Sequence, residues 1–144
     1  MIKRATLQDV SAVSALAAQL WPEQSADELA EGFDSVLTGA EDAVFLFCAD
    51  ETPVGFAHCS LRHDYVEGTD STPVGYLEGI FVLPEYRQSG VAGALLSACE
   101  HWAREMGCRE FASDCELTND TSALFHKKLG FTEVNRIICF TKKL

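Results

Sequence analysis

Positive charge is what this sequence has least of. Lys and Arg number 11 against 22 Asp and Glu, a formal net charge of −11. Such a surface repels polyanions, so neither nucleic acid nor an anionic membrane is an expected partner, and it attracts cations. Taken alone, an acidic balance more commonly serves solubility. No apolar run approaches the roughly 20 residues of a membrane-spanning helix. Met1-Ile-Lys-Arg-Ala-Thr-Leu-Gln-Asp9 has no apolar core of a secretion signal, so a cytoplasmic location is expected. The six cysteines form no Cys-x-x-Cys pair and have no His at zinc-finger spacing, so no metal is expected. Cys48 and Cys139 sit in apolar runs and read as buried free thiols of a reducing compartment. There is no repeat, linker or low-complexity segment. A chain of 144 residues, 47% apolar, is then one domain, 1–144, with a real core.

Ile2 to Arg4 reads as a short strand. Thr6-Leu-Gln-Asp9 and Ser25-Ala-Asp-Glu28 are capping boxes, each opening a helix. The first carries Val10, Val13, Leu16, Ala17 and Leu20 at helical spacing and ends at Pro22, with Trp21 at its exit. The second carries Leu29, Phe33, Val36 and Leu37 and stops near Gly39. Ala43–Ala49 and Val54–Leu61 form a hairpin across Asp50-Glu-Thr-Pro53. A long polar loop runs from Arg62 to Thr72, and a strand follows from Val74 to Leu83. Ala92, Leu95, Leu96, Cys99, Trp102, Ala103 and Met106 mark the clearest amphipathic helix, with Gly107 past its end. Arg109–Asp114 is a short strand, and Asn119 and Asp120 cap a helix through Leu129. Phe131–Arg136 and Ile137–Lys142 read as two closing strands. The order β, α, α, β, β, β, α, β, α, β, β describes an α/β (α+β) fold, a mixed sheet with helices on both faces.

One junction stands out. Tyr76-Leu-Glu-Gly-Ile-Phe-Val-Leu83 is followed by Arg87-Gln88-Ser89-Gly90-Val91-Ala92 at the start of the amphipathic helix. The form Arg/Gln-x-x-Gly-x-Gly/Ala allows a close turn whose free N–H groups, helped by the helix dipole, suit phosphate oxygens. It is neither a Walker loop nor a dinucleotide fingerprint. A glycine at a helix start is by itself usually a turn.

With Asn119 and the helix ending His126-Lys-Lys-Leu-Gly-Phe131, the junction resembles the GNAT superfamily of acetyl-CoA-dependent N-acetyltransferases, over essentially the whole chain. The resemblance implies a GNAT-type, mostly antiparallel central sheet flanked by helices. It implies that the backbone of Ile80, Phe81 and Val82 pairs with the pantetheine arm of acetyl-CoA. Arg87, Gln88, Ser89, Gly90, Val91 and Ala92 would hold the pyrophosphate, and Asn119 would touch the cofactor arm. His126 stands where relatives commonly place a Tyr near the thiolate. It reads equally as a proton donor to the leaving sulfur or as a solvated residue beside Lys127 and Lys128.

A narrower resemblance, to aminoglycoside 6′-N-acetyltransferases, is carried by Gln19-Leu-Trp-Pro22, Arg62-His-Asp-Tyr-Val66, Tyr76-Leu-Glu-Gly-Ile-Phe-Val-Leu-Pro84, Gly107-Cys-Arg-Glu110 and Ala112-Ser-Asp114. The chemistry agrees. An amine must lose a proton before attacking a thioester, and Glu78 on the cofactor strand is a candidate base. By simple alternation Glu78 would share a face with Ile80 and Val82. Asp114 would supply a second carboxylate, or else a turn cap. Tyr65 would close the site from the long loop, and Trp21 would offer a platform to a sugar, or else fill the core. Asp64, Glu67, Asp70 and Glu116 add negative charge suited to a polycationic aminoglycoside. The resemblance implies direct transfer in a ternary complex, antibiotic resistance and a homodimer formed through the C-terminal strands. Where some relatives carry an acidic residue that crosses the dimer, this chain has Asn135 with Glu133 nearby. The alternatives are an acetyltransferase for a polyamine or peptide N-terminus, and a non-catalytic acyl-CoA sensor.

Overall fold

The computed structural model describes residues 1–144. Its sheet has five strands in the order β1-β2-β3-β4-β5. These are β1 (Ile2–Arg4), β2 (Asp42–Ala49), β3 (Thr52–Arg62), β4 (Val74–Val82) and β5 (Phe111–Ala112). The first four pair antiparallel, and β5 joins β4 in parallel. The helices are α1 (Val10–Leu20), α2 (Ala26–Thr38), α3 (Val91–Glu105) and α4 (Asp120–Lys128).

Local chemistry explains the element ends. Thr6 and Asp9 complete their capping box around a short 3₁₀ turn that leads into α1. Ser25 accepts from the Glu28 N–H at the start of α2. Asp50 and Glu51 both take positive φ, 48° and 67°, which turns β2 tightly back into β3. α1 and α2 cover one face of the sheet, where Val13, Leu16, Ala17, Leu29 and Phe33 meet Val44, Leu46 and Phe56. α3 covers the other, where Leu95, Leu96, Cys99 and Trp102 meet Ala57, Cys59, Leu77 and Val82. Each fully buried Leu or Val in these layers contributes about 1.5–3 kcal/mol. Cys48, Cys59, Cys99 and Cys108 are buried free thiols; Cys115 is exposed, and so, against expectation, is Cys139, because the arm that carries it pairs with no strand. No helix is long and apolar enough to cross a membrane.

Two expectations need correction. The closing strands are absent: residues 131–144 lie in no helix or strand. A strand exists only by pairing, and β5, with two residues, offers a short edge. Side chains hold the first part of this arm instead. Phe131 packs on Phe111 and His126, and Asn135 donates to Glu67. Beyond it, Ile137, Ile138 and Phe140 are 63%, 77% and 86% exposed.

The second correction concerns β4. Its register against β3 steps from Cys59↔Leu77 to His58↔Gly79, which leaves Glu78 without a partner. This bulge breaks the alternation of side chains. Leu77, Ile80 and Val82 all pack toward α3, while Phe81 packs toward α1 and α2. Glu78 therefore does not share a face with Ile80 and Val82. It points with Ser60 and Arg62 of β3 to the side of α1.

Candidate active site

The bulge builds the centre of the site. Gly79 stays on the same side as Glu78, and its missing side chain leaves room for Trp21: a Cβ there would stand 2.6 Å from the Trp21 ring. The ring of Trp21 also meets Phe56 edge-on at 6.3 Å between centroids. Trp21 is only half-buried, so one surface seals the core and the other borders the site.

Glu78 is held by Ser60 Oγ at 2.6 Å and by Arg62, whose Nη2 lies 3.0 Å from each carboxylate oxygen. The Arg62 guanidinium carbon lies over the Tyr76 ring, 3.4 Å from its centroid. Tyr76 in turn donates its hydroxyl to Asp114. Burial, and then the Asp114 carboxylate beside it, push the Tyr76 phenol above the ordinary tyrosine range, so it stays a donor. A continuous chain of contacts thus joins Glu78 to Asp114 across three strands. Asp114 is exposed at the end of β5 and is bound by a tyrosine rather than capping a helix.

Tyr65 is 81% exposed on the loop 63–73. Its hydroxyl donates to Glu67 at 2.7 Å, which raises its pKa, and does not reach Glu78 or Asp114. Glu67 also accepts from Asn135, so this residue ties the C-terminal arm to the loop. Tyr65, Tyr76, Asp114, His126 and the arm line one open groove of about 990 Å³.

A second set of open backbone groups lies where β4 leads into α3. β4 pairs with β5 only at Gly75↔Phe111 and Tyr76↔Ala112, so the strands part beyond Tyr76, and β5 does not cover the edge of β4 from Ile80 to Val82. Gln88 and Gly90 take positive φ, 61° and 85°, which turns the chain into α3. No side chain caps α3, and its first backbone bond runs from Ala94 N–H to the Gly90 carbonyl. The N–H groups of Val91 and Ala92 are therefore open to an anion. Arg87 turns inward, its Nε donating 2.8 Å to the Val82 carbonyl, so it braces the loop from behind. Asn119 caps α4 through its carbonyl oxygen and keeps its amide NH₂ free.

His126 is half-buried and is engaged at both ring nitrogens. Its Nδ1 lies 2.7 Å from the Ser122 carbonyl oxygen, which can only accept, so Nδ1 carries the proton. Nε2 meets the Ser113 hydroxyl at 2.8 Å. Ser113 and Asp114, adjacent at the end of β5, face opposite ways: one to His126, the other to Tyr76.

The chain as a whole has known relatives. Residues 11–131 match the acetyltransferase (GNAT) family. The chain belongs to the GNAT acetyltransferase family. Among curated members, it is 46% identical over 144 residues to an aminoglycoside N(6′)-acetyltransferase type 1 of Stenotrophomonas maltophilia, covering 99% of this chain and 93% of that one. It is 48% identical over 126 residues to the protein so named in Salmonella typhimurium, covering 87% and 86%. Among solved structures, aminoglycoside N-acetyltransferase AAC(6′)-Iy in complex with CoA superposes with a TM-score of 0.97 at 41% identity, over 100% of this chain and 95% of that one. The same enzyme bound to the bisubstrate analogue CoA-S-monomethyl-acetylneamine gives 0.96 at 41% identity, over 100% and 98%.

In this GNAT enzyme the structure brings Trp21, Glu78 and Asp114 into one band and leaves Tyr65 at its border. It adds Ser60, Arg62, Tyr76, Gly79 and Ser113, which sequence reasoning did not select. A signal existed for three of them. Ser60 and Arg62 on β3, and Tyr76 and Glu78 on β4, are polar pairs two residues apart, which places each pair on one face of its strand.

Proposed function

We propose that the protein transfers the acetyl group of acetyl-CoA to the 6′-amino group of aminoglycoside antibiotics, by direct transfer in a ternary complex. Such modification in the cytoplasm confers resistance. The observation that carries this reading is the bulged Glu78, set beside the exposed surface of Trp21 and linked through Tyr76 to Asp114. A carboxylate there meets a cationic amine, takes its proton and releases the neutral nucleophile. Asp114 holds a second positive charge of the substrate, and the half-buried Trp21 gives an apolar surface to a sugar face. Tyr65 closes over the bound substrate from its loop.

Acetyl-CoA fits the opposite side. Its pantetheine arm pairs with the edge of β4 at Ile80, Phe81 and Val82, and its pyrophosphate sits on the N–H groups from Arg87 to Ala92. The free amide of Asn119 reaches the arm. His126 and Ser113 supply the leaving thiolate with a proton: Nε2 of His126 takes one from solvent and passes it to Ser113 Oγ, whose own hydroxyl proton goes to sulfur, and the pair returns to its starting form. The chemistry needs no metal. A second copy of the chain is the partner that covers the exposed arm, which offers an unpaired apolar stretch, Ile137 to Phe140. Phe140→Asp then gives a smaller species than the native chain in analytical ultracentrifugation; an unchanged sedimentation coefficient contradicts the dimer.

Release of free CoA thiol on adding kanamycin tests the main reading. The rate rises with kanamycin and saturates. No release above background at saturating acetyl-CoA, with turnover of a polyamine or peptide instead, contradicts it.

A further inference from the structure

Arg62 is the last residue of β3 and lies on the face of Glu78. The bonds it makes there are unequal. Oε1 of Glu78 is met by Ser60 Oγ at 2.6 Å, Arg62 Nε at 3.1 Å and Arg62 Nη2 at 3.0 Å. Oε2 is met by Arg62 Nη2 alone, at 3.0 Å. A carboxylate oxygen offers about two lone-pair sites. Oε1 is therefore saturated, and Oε2 keeps room for one more donor.

The guanidinium is itself fixed. The Tyr76 ring lies beneath it, and Tyr76 is anchored by Asp114. A planar fork stacked on an aromatic face and locked to a carboxylate has few ways to swing. The pair is also open to solvent, with side-chain exposures of 42% for Arg62 and 26% for Glu78. An ion pair so placed adds little to global stability. Its consequence is orientation.

We propose that Arg62 is a positioning residue that, with Ser60, blocks Oε1 of Glu78 and presents Oε2 as the single oxygen that takes the proton of the substrate amine. The proposal rests on the acetyl-transfer reading and deepens it. The same clamp ties the base to Asp114: a guanidinium that moved off the Tyr76 ring would release the phenol that holds Asp114. Arg62 thereby sets the spacing of the two carboxylates that a polycationic substrate meets. Arg62 also neutralises one of the two negative charges, so the clamp leaves a site suited to one ammonium at the base.

A double-mutant cycle on the full-length enzyme tests this, with tobramycin and acetyl-CoA as substrates and thiol release as readout. Arg62→Gln lowers kcat roughly 10- to 100-fold, the scale of a misplaced catalytic group. The KM for acetyl-CoA is unchanged, and Arg62→Lys recovers part of the loss. In the Glu78→Gln background Arg62→Gln adds nothing to the loss in kcat, because on the chemical step Arg62 acts through Glu78, and its hold on Asp114 shows only in the KM for tobramycin. The same fold loss in both backgrounds overturns the proposal. So does tighter or faster use of tobramycin by Arg62→Gln, which would make the guanidinium a placeholder that substrate displaces. If Arg62→Gln fails to fold, Arg62→Lys, which keeps the charge and loses the fork, is carried through the same cycle. Wild-type enzyme that acetylates no aminoglycoside overturns the substrate assignment; active wild type with additive losses overturns the role of Arg62 alone.

Discussion

A single methyl group at Gly79 separates the substrate half of the site from the cofactor half. In Gly79→Ala the new Cβ would lie 2.6 Å and 2.8 Å from two carbons of the Trp21 ring and 3.4 Å from Leu20. Carbon atoms rest best at about 3.5–4.0 Å, so the ring must retreat by about 1 Å. Phe56, fully buried, stands edge-on at the ring and gives no room inward, so the ring moves toward solvent. Overpacking costs about 1–3 kcal/mol in a closed core. Because Trp21 is half-exposed, the low end applies, about 1 kcal/mol. The functional loss is larger, since a displacement of about 1 Å in a positioning surface can cost roughly 100-fold in rate. Urea unfolding reads the stability, with an unchanged slope expected. Steady-state kinetics with each substrate varied in turn reads the function: kcat/KM falls steeply for the aminoglycoside, while the KM for acetyl-CoA holds. An aminoglycoside kcat/KM within twofold of wild type refutes the placement of Trp21 at the substrate. An equal rise in the KM for acetyl-CoA refutes the separation of the two halves.

Glu78→Gln keeps a hydrogen-bonding oxygen and removes the base, so turnover falls about 10²- to 10⁴-fold. The loss is steepest at low pH, where the amine is fully protonated, and an unchanged pH–rate profile contradicts the assignment. Glu110 pins the long loop through the Asp70 N–H and the Ser71 hydroxyl, and these bonds hold its pKa below the ordinary glutamate value. A depressed folded-state value gives stability that is present above the unfolded value of about 4.3 and lost as pH falls through the folded one. Glu110→Gln is therefore less stable than wild type at neutral pH, and the difference in thermal midpoint closes in strong acid. A difference that persists unchanged at the lowest pH contradicts this.

The helices were legible because their signals are local. Capping residues at Thr6 and Ser25, the stripe from Ala92 to Ala103 and the glycines at 107 and 130 each act within a turn or two, and each stands where its pattern puts it. Sheet details were not, because pairing is settled between distant segments. Nothing within Tyr76–Leu83 announces that Glu78 is passed over by β3, and the resulting switch of faces undid the alternation argument. Residues 131–142 have strand composition, but composition cannot supply an edge to pair with. In the site, Glu78, Trp21 and Asp114 were chosen as residue types able to do the work. Arg62, Ser60 and Tyr76 act by contact across strands, and those contacts appear only once the register is known. His126 reads from sequence equally as a proton donor or a solvated residue, and the structure binds it at both ring nitrogens, one of them by Ser113, which lies just past β5.

The central claim is acetyl transfer to one particular amine. Mass spectrometry of the products formed from acetyl-CoA and an aminoglycoside panel, with one member carrying a 6′-amine and a matched member lacking it, tests it most directly. The account predicts a single added acetyl group on the first, located at the 6′ nitrogen, and no product from the second. Acetylation of the member that lacks a 6′-amine would contradict it.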